Sequence, residues 1–284
     1  MSTIAIVTDT DSSLPAALAA QYHIRQVPIL IHFGAEAFKT SEELDDTRLF
    51  DRINRENKLP TTAAPSPGQF VEAFQAAFAE GAQAVICICV SSGVSATYQA
   101  ACSARDLLPD RDITVMDSQT LSMAQGFTVL AAAEAARAGA SQEEIVARVQ
   151  SVRDRSRLLA ALPTLKYLAM SGRVGHLAAG LATVLNIQPI LTVQNGKLDL
   201  LERVRTRSKA WARTIELAVA AAGGRPVERL AIIHVNVPAQ AHEFEAQLRA
   251  SLPYTGEVVY AELTPGLSVH AGAGLVGLVM VTGQ

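Results

Sequence analysis

The chain has 284 residues, 49% of them hydrophobic and 18% charged, which is length enough for two domains and apolar material enough for a substantial core. A net charge of -3 and a pI near 6.1, with basic residues scattered rather than clustered, argue against nucleic acid or an anionic membrane surface as a partner. No apolar run approaches the roughly 18 residues of a membrane span, and "MSTIAIVTDTDSS" has no basic n-region and soon meets Asp9, so the expectation is a cytoplasmic protein with no integral membrane segment.

Along the chain, "TIAIVTD" (Thr3 to Asp9) reads as a buried strand and "LPAALAAQY" as a helix, with Ser12 or Ser13 as candidate N-cap and Pro15 in its first turn. "IRQVPILIHF" reads as a second strand. "SEELDDTRLFDRINREN" is polar and helical, and "PSPGQFVEAFQAAFAEG" is an amphipathic helix with Phe70, Phe74 and Phe78 at i, i+4 and i+8. The strand "AVICICV", a helix from Ser95, the strand "DITVMD" and helices over Ser122 to Ala138 and Gln142 to Arg157 complete a βαβ rhythm. Strands that are apolar throughout, such as Ala84 to Val90, predict burial on both faces and hence a mainly parallel, Rossmann-like sheet between helices.

After about Leu158 the pattern changes. "PILTVQNGKLDLLERVR" (Pro189 to Arg205) is two strand-like runs joined by Asn195-Gly196, a type I′ hairpin signal that demands antiparallel pairing. A helix around Trp211 to Ala222, the strand "RLAIIHV", a helix over Ala239 to Leu252, the strand "GEVVYAEL" and the strand "LVGLVMV" follow. The expected fold is therefore α/β in two domains, 1–158 with the parallel sheet and 159–284 with a mixed sheet. A cleft between the two is the default place for a ligand.

The chemistry-bearing segments sit at strand-to-helix turns. In "VICICVSSGVSATYQAA" (Val85 to Ala101) a buried strand turns through Ser91, Ser92 and Gly93 toward a helix, which places free N–H groups and hydroxyls at the carboxyl edge of the sheet. That geometry suits an anion or carboxylate, and a plain serine cap accounts for it equally well. A nucleophile elbow fails because Thr97 stands where G-x-S-x-G needs glycine. Neither a P-loop nor a G-x-G-x-x-G occurs. "PTTAAPSPGQF" offers Thr61, Thr62 and Ser66 in a proline-bounded loop, and "MDSQT" puts Asp117 and Ser118 after a strand; capping and turn chemistry also explain each of these. "MSGRVGH" carries Arg173, and "SVHAGAGLVG" carries His270 ahead of Gly272 and Gly274, small residues that let a backbone or ligand approach. Cys87 and Cys89 lie two apart on one face of a strand and read as core packing, since no Cys/His spacing supplies the remaining ligands of a metal site.

The ordered set "VTDTDSSLP", "PTTAAPSPGQF", "VSSGVSATYQAA", "VMDSQTLSMAQG", "LKYLAMSGRVG", "IQPILTVQNGKL", "RVRTRSKA" and "LSVHAGAGLVGL" resembles the DegV family of bacterial fatty-acid-binding proteins over nearly the whole chain. The resemblance implies two α/β domains with a long-chain fatty acid between them and no catalysis by the protein itself. It implies a separate fatty acid kinase as partner, which receives the presented carboxylate and makes acyl-phosphate for phospholipid synthesis. It implies no cofactor or metal; the bound fatty acid is the ligand.

Carried onto this sequence, the resemblance makes Thr62 a carboxylate ligand, Ser95 the favoured second with Ser92 behind it, and His270 a third, with Gly93, Arg173 and Gly272 in support. Ala63, Ala64, Ala96, Ser171, Gln188 and Ala273 depart from the family pattern; Gln188 stands where a lysine is usual and removes a positive charge. The competing reading is a hydrolase or phosphotransferase using Ser95 with His270, for which the sequence shows no carboxylate to orient the histidine and no metal for phosphate.

Overall fold

The computed structural model describes residues 3–173 and 187–284. β1 (Ile4–Asp9) leads through a 3-10 turn at Thr10–Ser12 to α1 (Ala16–Gln21). β2 (Arg25–Val27), β3 (Leu30–Phe33), β4 (Glu36–Lys39), α2 (Asp46–Glu56), β5 (Thr61–Ala63) and α3 (Pro67–Ala79) follow. β6 (Ala84–Cys89), α4 (Thr97–Asp106), β7 (Ile113–Asp117), α5 (Ser122–Arg137) and α6 (Gln142–Arg155) complete the first half.

Four of these strands form a wholly parallel sheet in the order β2-β1-β6-β7. Every residue of β6 is buried, as its unbroken apolar run requires, and alternation along the strand divides the load between two faces. Cys87 and Cys89 face α3 and α4, packing with Phe70, Phe74 and Ala101. Ile86 and Ile88 face the other way, toward α5.

The second half runs β8 (Ser156–Ala161), α7 (Lys166–Met170), β9 (Gln188–Gln194), β10 (Lys197–Val204), α8 (Arg207–Ala222), β11 (Val227–His234), α9 (Pro238–Arg249), β12 (Val258–Glu262), α10 (Pro265–Ala271) and β13 (Val276–Thr282). Its six-stranded sheet has the order β10-β9-β8-β13-β11-β12, with β11 and β12 parallel and the other neighbours antiparallel. Asn195 and Gly196 both take positive φ, 49° and 77°, as the β9–β10 turn demands. Residue 158, where the sequence suggests a division, falls inside β8.

α5 explains how the halves fit together. All of its residues from Ser122 to Ala133 are buried, so it has no polar stripe to offer water over those turns. It packs on β1 and β6 on one side and on β8, β11 and β13 on the other. The far face of the six-stranded sheet is covered by α8 and α9, where Trp211 meets Phe244 edge-on at 5.7 Å.

Several elements differ from the sequence reading. "IRQVPILIHF" is two strands, because Pro28 has no N–H for a ladder: β2 stays in the parallel sheet, while β3 joins β4 and β5 in a small antiparallel one. α1 has Pro15 at its N-cap and no side-chain cap, so neither Ser12 nor Ser13 plays that part; Ser13 sits in the left-handed region instead. α2 begins only at Asp46, with Asp45 accepting from Arg48 N. α6 stops at Arg155 and hands directly to β8, α8 already begins at Arg207, and α9 runs Pro238–Arg249. α7 and α10 are additional helices.

Candidate functional site

A cavity of ≈ 550 Å³ lies where the carboxyl edge of the parallel sheet meets the near face of the six-stranded sheet. Alternation along β8 builds its floor: Leu158 and Ala160 line the cavity, with Leu162 just beyond, while Leu159 and Ala161 turn into the α8 and α9 core. Leu191, Leu198, Ile233, Leu263 and Leu275 extend the apolar wall, and Leu267 and Ala271 add to it from α10. Among the described residues no Phe, Tyr or Trp lines the cavity, so its wall is mainly aliphatic.

The polar part of the wall comes from distant parts of the chain. Thr62, on β5 and paired with Ile31 of β3, has its Oγ1 3.0 Å from His270 Nε2 on α10. The exposed Arg173, just after α7, donates from its guanidinium to Thr62 Oγ1 at 3.4 Å and to the Ser171 carbonyl at 2.6 Å. The rest of "MSGRVGH" after Arg173 lies outside the described residues. Burial, and secondly the positive charge of Arg173, push the His270 imidazole down to about 3. The ring is therefore neutral at physiological pH, with one nitrogen as donor and one as acceptor. Nδ1 is buried and has no partner among the described residues.

The serine-rich loop divides its labour. Ser91 is buried and donates to the Gly196 carbonyl at 2.6 Å, while its Oγ also accepts from Gly93 N at 3.1 Å. A Cβ on Gly93 would stand 2.4 Å from Gly196 O, so glycine is needed there for the β9–β10 turn to seat on the loop. Ser92 is exposed and donates to Asp117 Oδ2 at 2.5 Å. Ser95 lines the cavity, yet its Oγ lies 2.8 Å from the buried Thr97 hydroxyl and accepts from Thr97 N at 3.3 Å. The helix it was expected to open starts at Thr97, with Ala96 as an uncapped N-cap.

Thr62, Arg173 and His270 are thus brought into one hydrogen-bonded chain. Ser92 and Ser95 line the same cavity but carry local partners instead. Gly272, at φ +82°, packs on Tyr167: a Cβ there would come within 2.4 Å of the ring. Ser66 caps α3 through a capping box with Gln69. Two polar lining residues were not singled out as ligands from the sequence, Asp11 and Ser122; each has a buried oxygen, Asp11 Oδ1 and Ser122 Oγ, without a partner among the described residues. Among the described residues no group of three or more His, Cys, Asp or Glu is placed to hold a metal ion, and no helix is long and apolar enough to cross a membrane.

Two α/β sheets sharing a buried helix, and between them an aliphatic cavity marked by a small cluster of donors, define the class: an α/β protein with an internal pocket of amphipathic lining. The family model described as an uncharacterised protein, DegV family, matches residues 3–283, and the chain belongs to that family. It is 32% identical over 278 residues to a DegV domain-containing protein of Halalkalibacterium halodurans, covering 98% of each chain. The structure of a DegV family protein from Thermus thermophilus, described as fatty acid binding, superposes with a TM-score of 0.91 at 30% identity, covering 99% of each chain. DegV from Bacillus subtilis, described as a fatty acid binding protein, gives 0.89 at 30% identity and 100% coverage of both.

Proposed function

We propose that the protein binds a long-chain fatty acid in this cavity and presents its carboxylate to a separate fatty acid kinase in the cytoplasm, without catalysing a reaction itself. The observation that carries the reading is the cavity: ≈ 550 Å³ of aliphatic wall with Thr62, His270 and Arg173 joined at one place in it. The fatty acids bound by the Thermus and Bacillus relatives support it. Each buried methylene contributes about 0.8 kcal/mol, so a long acyl chain offers on the order of 10 kcal/mol before ordering costs, and the tail dominates affinity. The head needs donors, because burying a carboxylate without them costs several kcal/mol. Thr62, neutral His270 and the Arg173 guanidinium supply them, with Ser95 and Ser92 as further hydroxyls in the same wall.

The hydrolase reading is less well supported. Ser95 and His270 hydrogen-bond to Thr97 and Thr62 rather than to each other, and no carboxylate orients the imidazole through Nδ1 among the described residues. The test is denaturing extraction of protein purified from a bacterial host, followed by mass spectrometry: stoichiometric long-chain fatty acid is expected. Protein that carries none and takes up none from solution would refute the binding role. Acyl-phosphate formation only when kinase, ATP and loaded protein are combined would test presentation.

A further inference from the structure

The Thr62–His270 cluster leaves one buried ionisable group of the cavity wall unused. Asp11 follows β1 at the same carboxyl edge from which the Ser91–Ser95 loop leaves β6, and it lines the cavity while only 6% exposed. Its own turn does not need its side chain, because Asp9 Oδ1 accepts from Asp11 N at 3.0 Å and caps that turn. Among the described residues Asp11 Oδ1 has no hydrogen-bond partner. Gly266 of α10 makes room for it: a Cβ there would lie 2.4 Å from Oδ1. The Ser122 hydroxyl, buried and equally without a partner among the described residues, opens on the same cavity from the first turn of α5. Two unmet polar groups in one wall call for an oxygen-bearing occupant.

Charge decides which form of Asp11 can serve. Burial, and secondly the neighbouring Asp9 carboxyl, push Asp11 well above the usual carboxylate range, while Arg173 and the Thr264 hydroxyl draw it down. Asp9 is itself buried and pushed up to about 6, and His270, facing the cavity from α10, is neutral. An ionised Asp11 beside a ligand carboxylate would set two like charges in a dry site, whereas a protonated one is a donor.

We propose that Asp11 is a further ligand of the bound acid: it keeps its proton and donates it to a carboxylate oxygen of the fatty acid, so that the two carboxyl groups hold one proton between them. This rests on the fatty-acid reading and adds a proton linkage to it. Where the empty protein has lost the Asp11 proton and the complex retains it, binding takes up a proton, and affinity falls up to tenfold per pH unit as pH rises.

Calorimetric titration of delipidated protein with oleate, from pH 6 to 9 in buffers of different ionisation enthalpy, tests this on wild type, Asp11→Asn and Asp11→Leu. The expected result is proton uptake approaching one per oleate at the alkaline end for wild type and none for Asp11→Asn. Asn still donates a hydrogen bond, so its affinity at pH 7 should stay within about threefold of wild type; Leu cannot, and should lose tenfold or more. Circular dichroism establishes that each variant is folded, and if Leu does not fold, the Asn proton count alone decides. A measurable uptake by wild type that Asp11→Asn reproduces, or a folded Asp11→Leu that binds oleate as tightly as wild type, overturns the proposal while leaving fatty-acid binding intact. Wild type that binds no oleate overturns both.

Discussion

Replacing Thr62 by valine keeps the β-branched shape that β5 favours and removes one oxygen. That oxygen is the link between His270 Nε2 at 3.0 Å and the Arg173 guanidinium at 3.4 Å. On the proposed fatty-acid reading its loss takes one donor from the ligand carboxylate and leaves the imidazole without its partner, a deficit of about 1–3 kcal/mol for a charged acceptor in a buried site. In dissociation constant that is about 5- to 150-fold. His270→Ala removes the other end of the same bond, so the double variant should lose less than the sum of the singles. Thr62 is only half-buried and its backbone pairing with Ile31 survives, but His270 Nε2 loses its partner in the empty protein as well, so stability should also fall, by about 1 kcal/mol. Oleate titration and thermal unfolding on the same delipidated preparations measure both quantities. Single variants that bind within twofold of wild type, or a strictly additive double variant, would refute the shared head-group site.

Ser95→Ala should act on both quantities, since Thr97 N and the buried Thr97 hydroxyl lose a partner: about 1 kcal/mol of stability by chemical denaturation, with any further loss of oleate affinity measuring direct contact. Gly93→Ala should destabilise by about 1–3 kcal/mol, because its Cβ meets Gly196 O at 2.4 Å; a variant as stable as wild type would show that the turn moves freely. Ala160→Phe projects a ring into the cavity from β8 and should weaken oleate far more than octanoate, and equal loss for both acids would count against a tail lying along that wall. Burial pushes the Asp46 carboxyl up to about 7, the Ser268 hydroxyl draws it down, and Glu262 and Asp45 add to the rise. Folded protein therefore holds a proton that the unfolded chain releases near pH 4, and this group's stabilising contribution is lost as pH rises toward 7. Asp46→Asn should flatten that decline in denaturant midpoint; an unchanged slope would place the linkage elsewhere.

The parts of the fold that could be read locally were those where one period dominates. The unbroken apolar run of β6 announced a buried parallel strand, and Asn195-Gly196 announced an antiparallel hairpin, because each signal lies within a few residues. β5 was hidden by its length: three residues between Pro60 and Pro65 look like a loop until β3 pairs with them. α10 was hidden by Gly266 and a neighbouring proline, which lower helix propensity while leaving room for Asp11. The Thr62–His270 contact spans 208 residues, and no local pattern encodes it; only the likeness to a family put the two on one list of candidates. Ser92 and Ser95 stood out as hydroxyls at a turn, but sequence cannot say that Asp117 and Thr97 already engage them.

The seat of the β9–β10 turn on the Ser91–Gly93 loop bears on how such a chain can be recombined. Gly93 and Gly196 are each bare where the other side needs the space, and Ser91 Oγ would sit 2.6 Å from a Cβ on Gly196. The two sides of this contact lie on opposite sides of residue 158, so a chimera spliced there takes its loop from one parent and its turn from the other. Its halves will mate only if both parents keep the clearance and the Ser91 hydrogen bond. Directed evolution that lengthens the turn or adds a side chain at either glycine will therefore have to find a matching change more than 100 residues away. A shuffled library should show this as survivors inheriting the two segments together.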